Sequence, residues 1–465
     1  MDFKIDLEKF GLPYGVKTVK AKAKGTGYVD SAYSNSLSYN SAPRVIPEQG
    51  YIAIYNLRSD VTSIEVYIDG ALVVTQAYDH VTAATPFIID LSELTINTYI
   101  QHPLYVVAKG DGVPANSSTT VLYGAGPVYG VSGLRGDNIA LTRTDDAEGL
   151  SYAINSSTGA ISSDFNDVFP WNAIKLETDA DGNAFVTWPD MYFRIGTDAE
   201  NCLTDIAVSN VPRNVGKWYK VNSFSYGRFG ASESGGKLKS VSGVSRKANA
   251  TRAQFRAWAA ANGDGYRQLD LYHRSVLLFL WWIEWATKNS ESIMTGKTAA
   301  TGSGYVSTGG TDQVETPSGF NPTTKQMRYH YIEDFVGNYL EFVDGFVGTS
   351  SALYATTDAS KFSDGSAGLD TLSITVPTTS GNCITAFGWD EDHPFLIFPS
   401  KTNNSNYNTG FCDYVEKSSY PVLYTGAHGN YTSADYGVSY FNRISATSSS
   451  SSIGGRLLKT PSAGV

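Results

Sequence analysis

Near its C-terminus the chain reads Ile453-Gly454-Gly455-Arg456-Leu457-Leu458. Two adjacent glycines let backbone pass close to a neighbouring element. Arg456 offers a fork of donors that can satisfy buried carbonyls or a carboxylate, and Leu457 and Leu458 anchor a strand in a core. Taken alone, the pattern also suits a surface turn before a strand, so what stands upstream decides.

Immediately upstream lies a loop-and-strand stretch of aromatic and small polar residues: His428, Asn430, Tyr431, Ser433, Asp435, Tyr436, Tyr440 and Asn442. Tyrosine supplies contact area at low entropic cost while serine and asparagine adapt their hydrogen bonds, which is the chemistry of a paratope. These eight residues are the expected ligand-binding set; a solvated Tyr/Ser/Asn surface is the alternative. Two helices are expected further back. One covers residues 251–261 and is stopped by Asn262-Gly263; the other runs from Gln268 to about Lys288, so densely apolar after Val276 that it must be buried nearly all round. His273 and the Trp281, Trp282, Trp285 cluster are read as core. Residues 296–324, rich in Gly, Thr and Ser, form a connection long enough to carry function or to move. The serine run 448–452 reads as a loop tip.

The first part of the chain repeats itself. Asp6-Leu7, Ala23-Lys24-Gly25-Thr26-Gly27 and Tyr39 return as Asp90-Leu91, Ala108-Lys109-Gly110-Asp111-Gly112 and Tyr123. That period suits a β-sandwich of the immunoglobulin or fibronectin type. Strands are legible at residues 51–55, 64–68 and 71–75, with an Asp69-Gly70 turn making the last two a hairpin. The expected organisation is α+β and multidomain: an incomplete immunoglobulin-like segment at 1–42, a β-sandwich at 43–126 and one large domain at 127–465. Too short to be stable alone, the 1–42 segment is expected to serve attachment or assembly.

Composition narrows the function. Lys and Arg number 35 against 45 Asp and Glu, a net charge of −10, and no basic run is present. Nucleic acid is therefore not an expected partner. The apolar run 276–283 stops at Glu284, well short of the roughly 20 residues a bilayer requires, so no membrane insertion is expected. The N-terminus lacks the apolar region of a secretory signal. Cys202, Cys383 and Cys412 form no Cys-x-x-Cys pair and are read as buried small residues.

A family resemblance enters on residues spread over the last two-thirds of the chain. Arg143-Thr-Asp-Asp-Ala-Glu-Gly-Leu150, Phe169-Pro-Trp171, Gly182-Asn-Ala-Phe-Val186, Met191-Tyr-Phe193, Lys237-Leu-Lys-Ser-Val-Ser-Gly243, Trp282-Ile-Glu-Trp285, Tyr424-Thr-Gly426, Ala434-Asp-Tyr-Gly437 and Ile453-Gly-Gly-Arg-Leu457 stand in an order similar to that of tail proteins of phages and prophages from gut Firmicutes. Those proteins carry a C-type-lectin-like fold, shared with formylglycine-generating enzymes and with the variable proteins of diversity-generating retroelements. The resemblance implies a virion protein at the tail tip or fibre, a closing core strand at Gly-Arg-Leu, and non-catalytic host adhesion through the variable-like segment. Implied partners are a bacterial cell-surface protein or glycan and other tail subunits, with a homo-oligomer, trimer favoured.

Enzyme readings find little support. The cysteines on which formylglycine-generating catalysis depends are absent from residues 424–465, and no Gly-x-Ser-x-Gly, His-Glu-x-x-His or phosphate loop is present. Asp390-Glu391-Asp392-His393 is read as a solvated turn rather than a calcium site, Asp179-Ala-Asp-Gly-Asn183 as a hairpin turn without the closing glutamate, and Arg135-Gly136-Asp137 as a chance tripeptide. No metal and no cofactor is expected. The alternatives are a structural tail or baseplate component and a glycan-cleaving tail enzyme.

Overall fold

The structure, a computed structural model, describes residues 127–461 except 213–215, 378–381, 404–407, 416–417 and 431–435. It also describes residues 43–123 apart from 49–50, 58, 93, 95–101, 111–112 and 119, and, before those, the backbone of Val16–Val19 and Leu37–Asn40. The chain divides into two compact units, Met1–Gly126 and Pro127–Val465. It is mostly β-sheet, with two α-helices among the described residues.

In the first unit, Arg44–Glu48, Tyr51–Tyr55 and Phe87–Asp90 form one antiparallel sheet. A second sheet runs Val121–Tyr123, His102–Gly110, Ser63–Ile68, Ala71–Ala77, and Val113–Ser117 also pairs with His102–Gly110. Strict alternation puts Ile64, Val66 and Ile68 inside, where they meet Ile52, Ile54 and Ile89 of the other sheet in one core. The Asp69-Gly70 hairpin turn has positive φ at both residues, 52° and 78°, as a two-residue turn of this kind requires. Val16–Val19 pairs antiparallel with Leu37–Asn40, and Val19 faces Leu37 as Leu104 faces Val121 in the second copy of the repeat. The remainder of residues 1–42 lies outside the described residues.

The second unit is built around a helix, α2, Leu271–Trp285. Every residue of α2 except Tyr272 is buried, because sheets and loops pack on all its sides. One five-stranded sheet runs Thr142–Asp145, Val128–Ser132, Leu203–Ser209, Met191–Thr197, Trp218–Val221. A second runs Lys175–Thr178, Ala184–Trp188, Phe224–Gly227, Leu457–Lys459, Tyr266–Gln268. A seven-stranded sheet includes Tyr414–Val415, Phe441–Ile444, Val422–Thr425, Leu340–Val343 and Ile453–Gly454 as successive neighbours.

The other helix, α1, spans Arg252–Ala260 and opens with a capping box in which Thr251 and Gln254 satisfy each other's backbone N–H. Helix α2 is shorter than its sequence suggests. Gln268 is the last residue of a strand paired with Leu457–Lys459, Asp270 caps the helix by accepting from the His273 N–H at 2.9 Å, and Ala286 ends it in the left-handed conformation at φ 49°. The apolar run after His393, expected as a strand over Pro394 to Pro399, takes strand geometry only from Phe398.

Candidate functional site

The closing segment sets the floor of the site. A Cβ on Gly455 would fall 2.6 Å from a Phe255 ring carbon and 2.7 Å from Gln268 Oε1, so only glycine lets this backbone through. Arg456 is fully buried: its Nε lies 2.9 and 3.1 Å from the two Glu341 oxygens, and its Nη atoms donate to the carbonyls of Gly227 and Glu333 at 2.9 and 2.8 Å. Glu341 also accepts from Arg246 Nη2 at 2.6 Å. Burial opposes the charge on Glu341, but the guanidinium groups of Arg456 and Arg246 hold it below the usual carboxylate range. Arg456 thus satisfies carbonyls and a carboxylate at once, tying Leu340–Val343 to the C-terminal strands.

On that floor the strands Val422–Thr425 and Phe441–Ile444 pair, and the chain between them is gripped at both ends. At the leading end, Gly429 N donates to Asn338 O at 3.0 Å and Gly429 O accepts from Gly304 N at 3.0 Å. A Cβ on Gly429 would sit 2.1 Å from the Gly304 carbonyl oxygen. At the trailing end, Asp413 accepts from the N–H groups of Gly437 and Ser439, Ser290 Oγ accepts from Val438 N at 3.0 Å, and Arg274 of α2 donates to Val438 O at 3.0 Å. A rigid scaffold therefore holds the chain on both sides of residues 431–435.

The residues expected to meet a ligand fall into three groups. Asn430 is exposed and His428 half-buried; His428 Nδ1 accepts from Asn430 N at 3.1 Å, and burial pushes the imidazole pKa down to about 4. Tyr436 is half-buried, with its hydroxyl 2.9 Å from that of Tyr414. Tyr440 and Asn442 belong to the interior, contrary to the sequence expectation. Tyr440 has no exposed surface and Asn442 is 3% exposed; the Asn442 amide donates to the Tyr440 hydroxyl at 2.9 Å, and Thr425 Oγ1 donates to Tyr440 O at 2.7 Å. Asn442 lies in the paired strand Phe441–Ile444 and Tyr440 just before it, and their polar side-chain atoms satisfy each other. Tyr431, Ser433 and Asp435 lie outside the described residues.

Sequence reading missed one contributor, Tyr305. Tyr305, from the long Gly/Thr/Ser-rich connection, stacks on Tyr339 with ring centroids 4.4 Å apart and faces His428 at 6.2 Å. The Asn430 amide donates to the Tyr305 hydroxyl at 3.4 Å. The connection itself is held down by Glu333, whose carboxylate accepts from Gly309 N, Thr311 N and Thr311 Oγ1, each at 2.8 Å. A tyrosine inside a glycine-rich loop was the available signal.

Other titratable residues have structural partners. His273 Nδ1 lies 2.7 Å from its capping Asp270, and the buried Glu284 of α2 is shared by His330 Nε2 at 2.8 Å and Ser163 Oγ at 2.9 Å. Asp179 closes a hairpin by accepting from Asp181 N and Asn183 N at 2.9 and 2.8 Å. Arg135 pairs with Asp198 and Glu200. All three cysteines are buried, and none of them forms a disulfide. Among the described residues no cluster of three or more His, Cys, Asp or Glu side chains could hold a metal ion, and no helix is long and apolar enough to cross a membrane.

No protein-family model and no curated protein matches the chain. Among solved structures it is similar to PvdO from Pseudomonas aeruginosa, at 12% identity over 61% of this chain and 97% of that one, with a TM-score of 0.29. A likeness that loose carries no weight for fold or activity.

Proposed function

We propose that the chain is a non-catalytic receptor-binding protein of a phage tail, carried on the virion and contacting a bacterial surface protein or glycan through the loop between Gly429 and Gly437. One observation supports this most: Tyr305, His428 and Asn430 stand together at one end of this segment, and the chain on either side of it, at Gly429 and at Gly437 to Ser439, is held by hydrogen bonds to the body of the unit. Rigid presentation of adaptable side chains lowers the entropy lost on binding. In this reading the second unit is C-type-lectin-like, the first immunoglobulin-like, residues 1–42 mediate attachment to other tail subunits, and the protein works as a homo-oligomer.

The test is a pull-down with intact host cells. The wild-type chain should sediment with them, and Asn430→Ala combined with Tyr305→Ala should cut binding about tenfold with an unchanged melting temperature. A chain that enters tails but never binds cells would instead be a structural tail component, and release of reducing sugar from envelopes would mark a glycan-cleaving enzyme.

A further inference from the structure

A cleft of about 380 Å³ opens in the second unit, and none of its lining residues belongs to the loop face just described. One wall is Trp218–Val221, an edge strand of its sheet; another is Tyr272, in the first turn of α2; the third is the loop carrying Asp392, His393 and Phe395. Aromatic rings form its body. Tyr219 packs edge-on against Trp389 and Phe395 at 6.0 and 6.5 Å, Tyr272 meets Phe395 at 5.1 Å, and the Arg194 guanidinium lies 5.9 Å from the Trp218 ring.

The acidic loop is built rigidly around Asp390. Its carboxylate accepts from Asp392 N at 3.0 Å, Ser373 N at 2.6 Å and Ser373 Oγ at 2.8 Å, while Leu396 N closes on His393 O at 2.9 Å and Trp389 Nε1 donates to Pro394 O at 3.1 Å. Lys217 and Glu391, 3.0 Å apart, bridge the loop to the chain entering the edge strand. Yet two polar groups of the cleft have no hydrogen-bond partner among the described residues: the Tyr272 hydroxyl, on an otherwise packed ring, and the Asp392 carboxylate. Tyr272 is also the one residue of α2 left partly open to solvent.

We propose that this cleft binds a pyranose unit of an uncharged glycan. Apolar ring faces match the C–H face of a sugar, and the phenol, carboxylate and imidazole at the sides offer the donors and acceptors that hydroxyl groups require. The volume lies at the lower end of ordinary small-ligand sites, enough for one or two sugar rings. A charged ligand fits less well, because Lys220 is already paired with Asp190 at 3.0 Å and Asp392 offsets what remains. The sequence marked residues 390–393 only as a solvated turn; the fold turns Asp392 and His393 to a cavity.

Saturation-transfer NMR on the full chain with the methyl glycosides of glucose, galactose, mannose and N-acetylglucosamine tests this. At least one should receive transfer, and Tyr272→Phe or Asp392→Asn should weaken its binding about fivefold, one hydrogen bond's worth, at unchanged melting temperature. Asn430→Ala should leave the glycoside signal intact, which separates this cleft from the loop face. Absence of transfer from every glycoside, binding indifferent to both cleft substitutions, or binding lost with Asn430→Ala would each overturn the assignment.

Discussion

Arg456 Nε sits 2.9 Å from one carboxylate oxygen of Glu341 and 3.1 Å from the other, in a place where neither residue is more than 3% exposed. A buried pair of this kind resists the loss of either partner, because the survivor is left charged without water. Glu341→Gln or Arg456→Met should cost about 3–5 kcal/mol. Thermal denaturation should show a fall of about 5 °C or more for either variant, and an unchanged midpoint would show that the pair is not part of the folded core.

Gly455 offers a test of the close approach that precedes that arginine. Gly455→Ala must push aside the Phe255 ring and Gln268, an overpacking expected to cost about 1–3 kcal/mol. Gly365→Ala, where an added Cβ meets nothing within 4 Å, should be close to neutral. Chemical denaturation of the two variants side by side reads the difference.

One buried and one half-buried group give pH dependences of opposite sign. Burial, and next the adjacent Glu333 carboxylate, push Asp334 up to about 7. The folded state therefore holds a proton the unfolded chain releases near 3.8, and this contribution to stability is lost as pH rises through about 7. For His428, driven down to about 4 from 6.5 by burial, the contribution is whole above 6.5 and lost as pH falls toward 4. Relative to wild type, Asp334→Asn should gain melting temperature as pH rises from 4 to 7, while His428→Gln should gain as pH falls from 6.5 to 4. Parallel curves for variant and wild type would contradict the assignment.

Tyr436 and Tyr440 should separate cleanly despite being four residues apart. Tyr440→Ala removes a fully buried ring in contact with Tyr414 and Tyr436 at 5.1 and 4.9 Å, so it should destabilise by about 3–5 kcal/mol. Tyr436→Ala, at a half-buried position, should cost less stability and more cell binding. Equal melting temperatures for the two variants would refute the distinction.

Local pattern was enough for several features. Thr251, Gln254 and the following Asn262-Gly263 mark both ends of α1 because capping and termination are satisfied within a few residues. Asp69-Gly70 marks its hairpin because the turn demands positive φ there, and the apolar density after Val276 marks a helix with no solvent face.

What sequence could not decide was which of several chemically similar residues the fold turns outward. Asn430 and Asn442, or Tyr436 and Tyr440, read alike, and the fold buries Asn442 and Tyr440 alone. Gln268 looked helical until Leu457–Lys459, far along the chain, claimed it as a strand partner. Tyr305 is brought beside His428 by the hydrogen bonds from Gly304 N to Gly429 O and from Asn430 to the Tyr305 hydroxyl. Backbone preference is local and written in neighbouring residues, whereas burial is the outcome of contacts between distant segments, which only the assembled tertiary structure brings together.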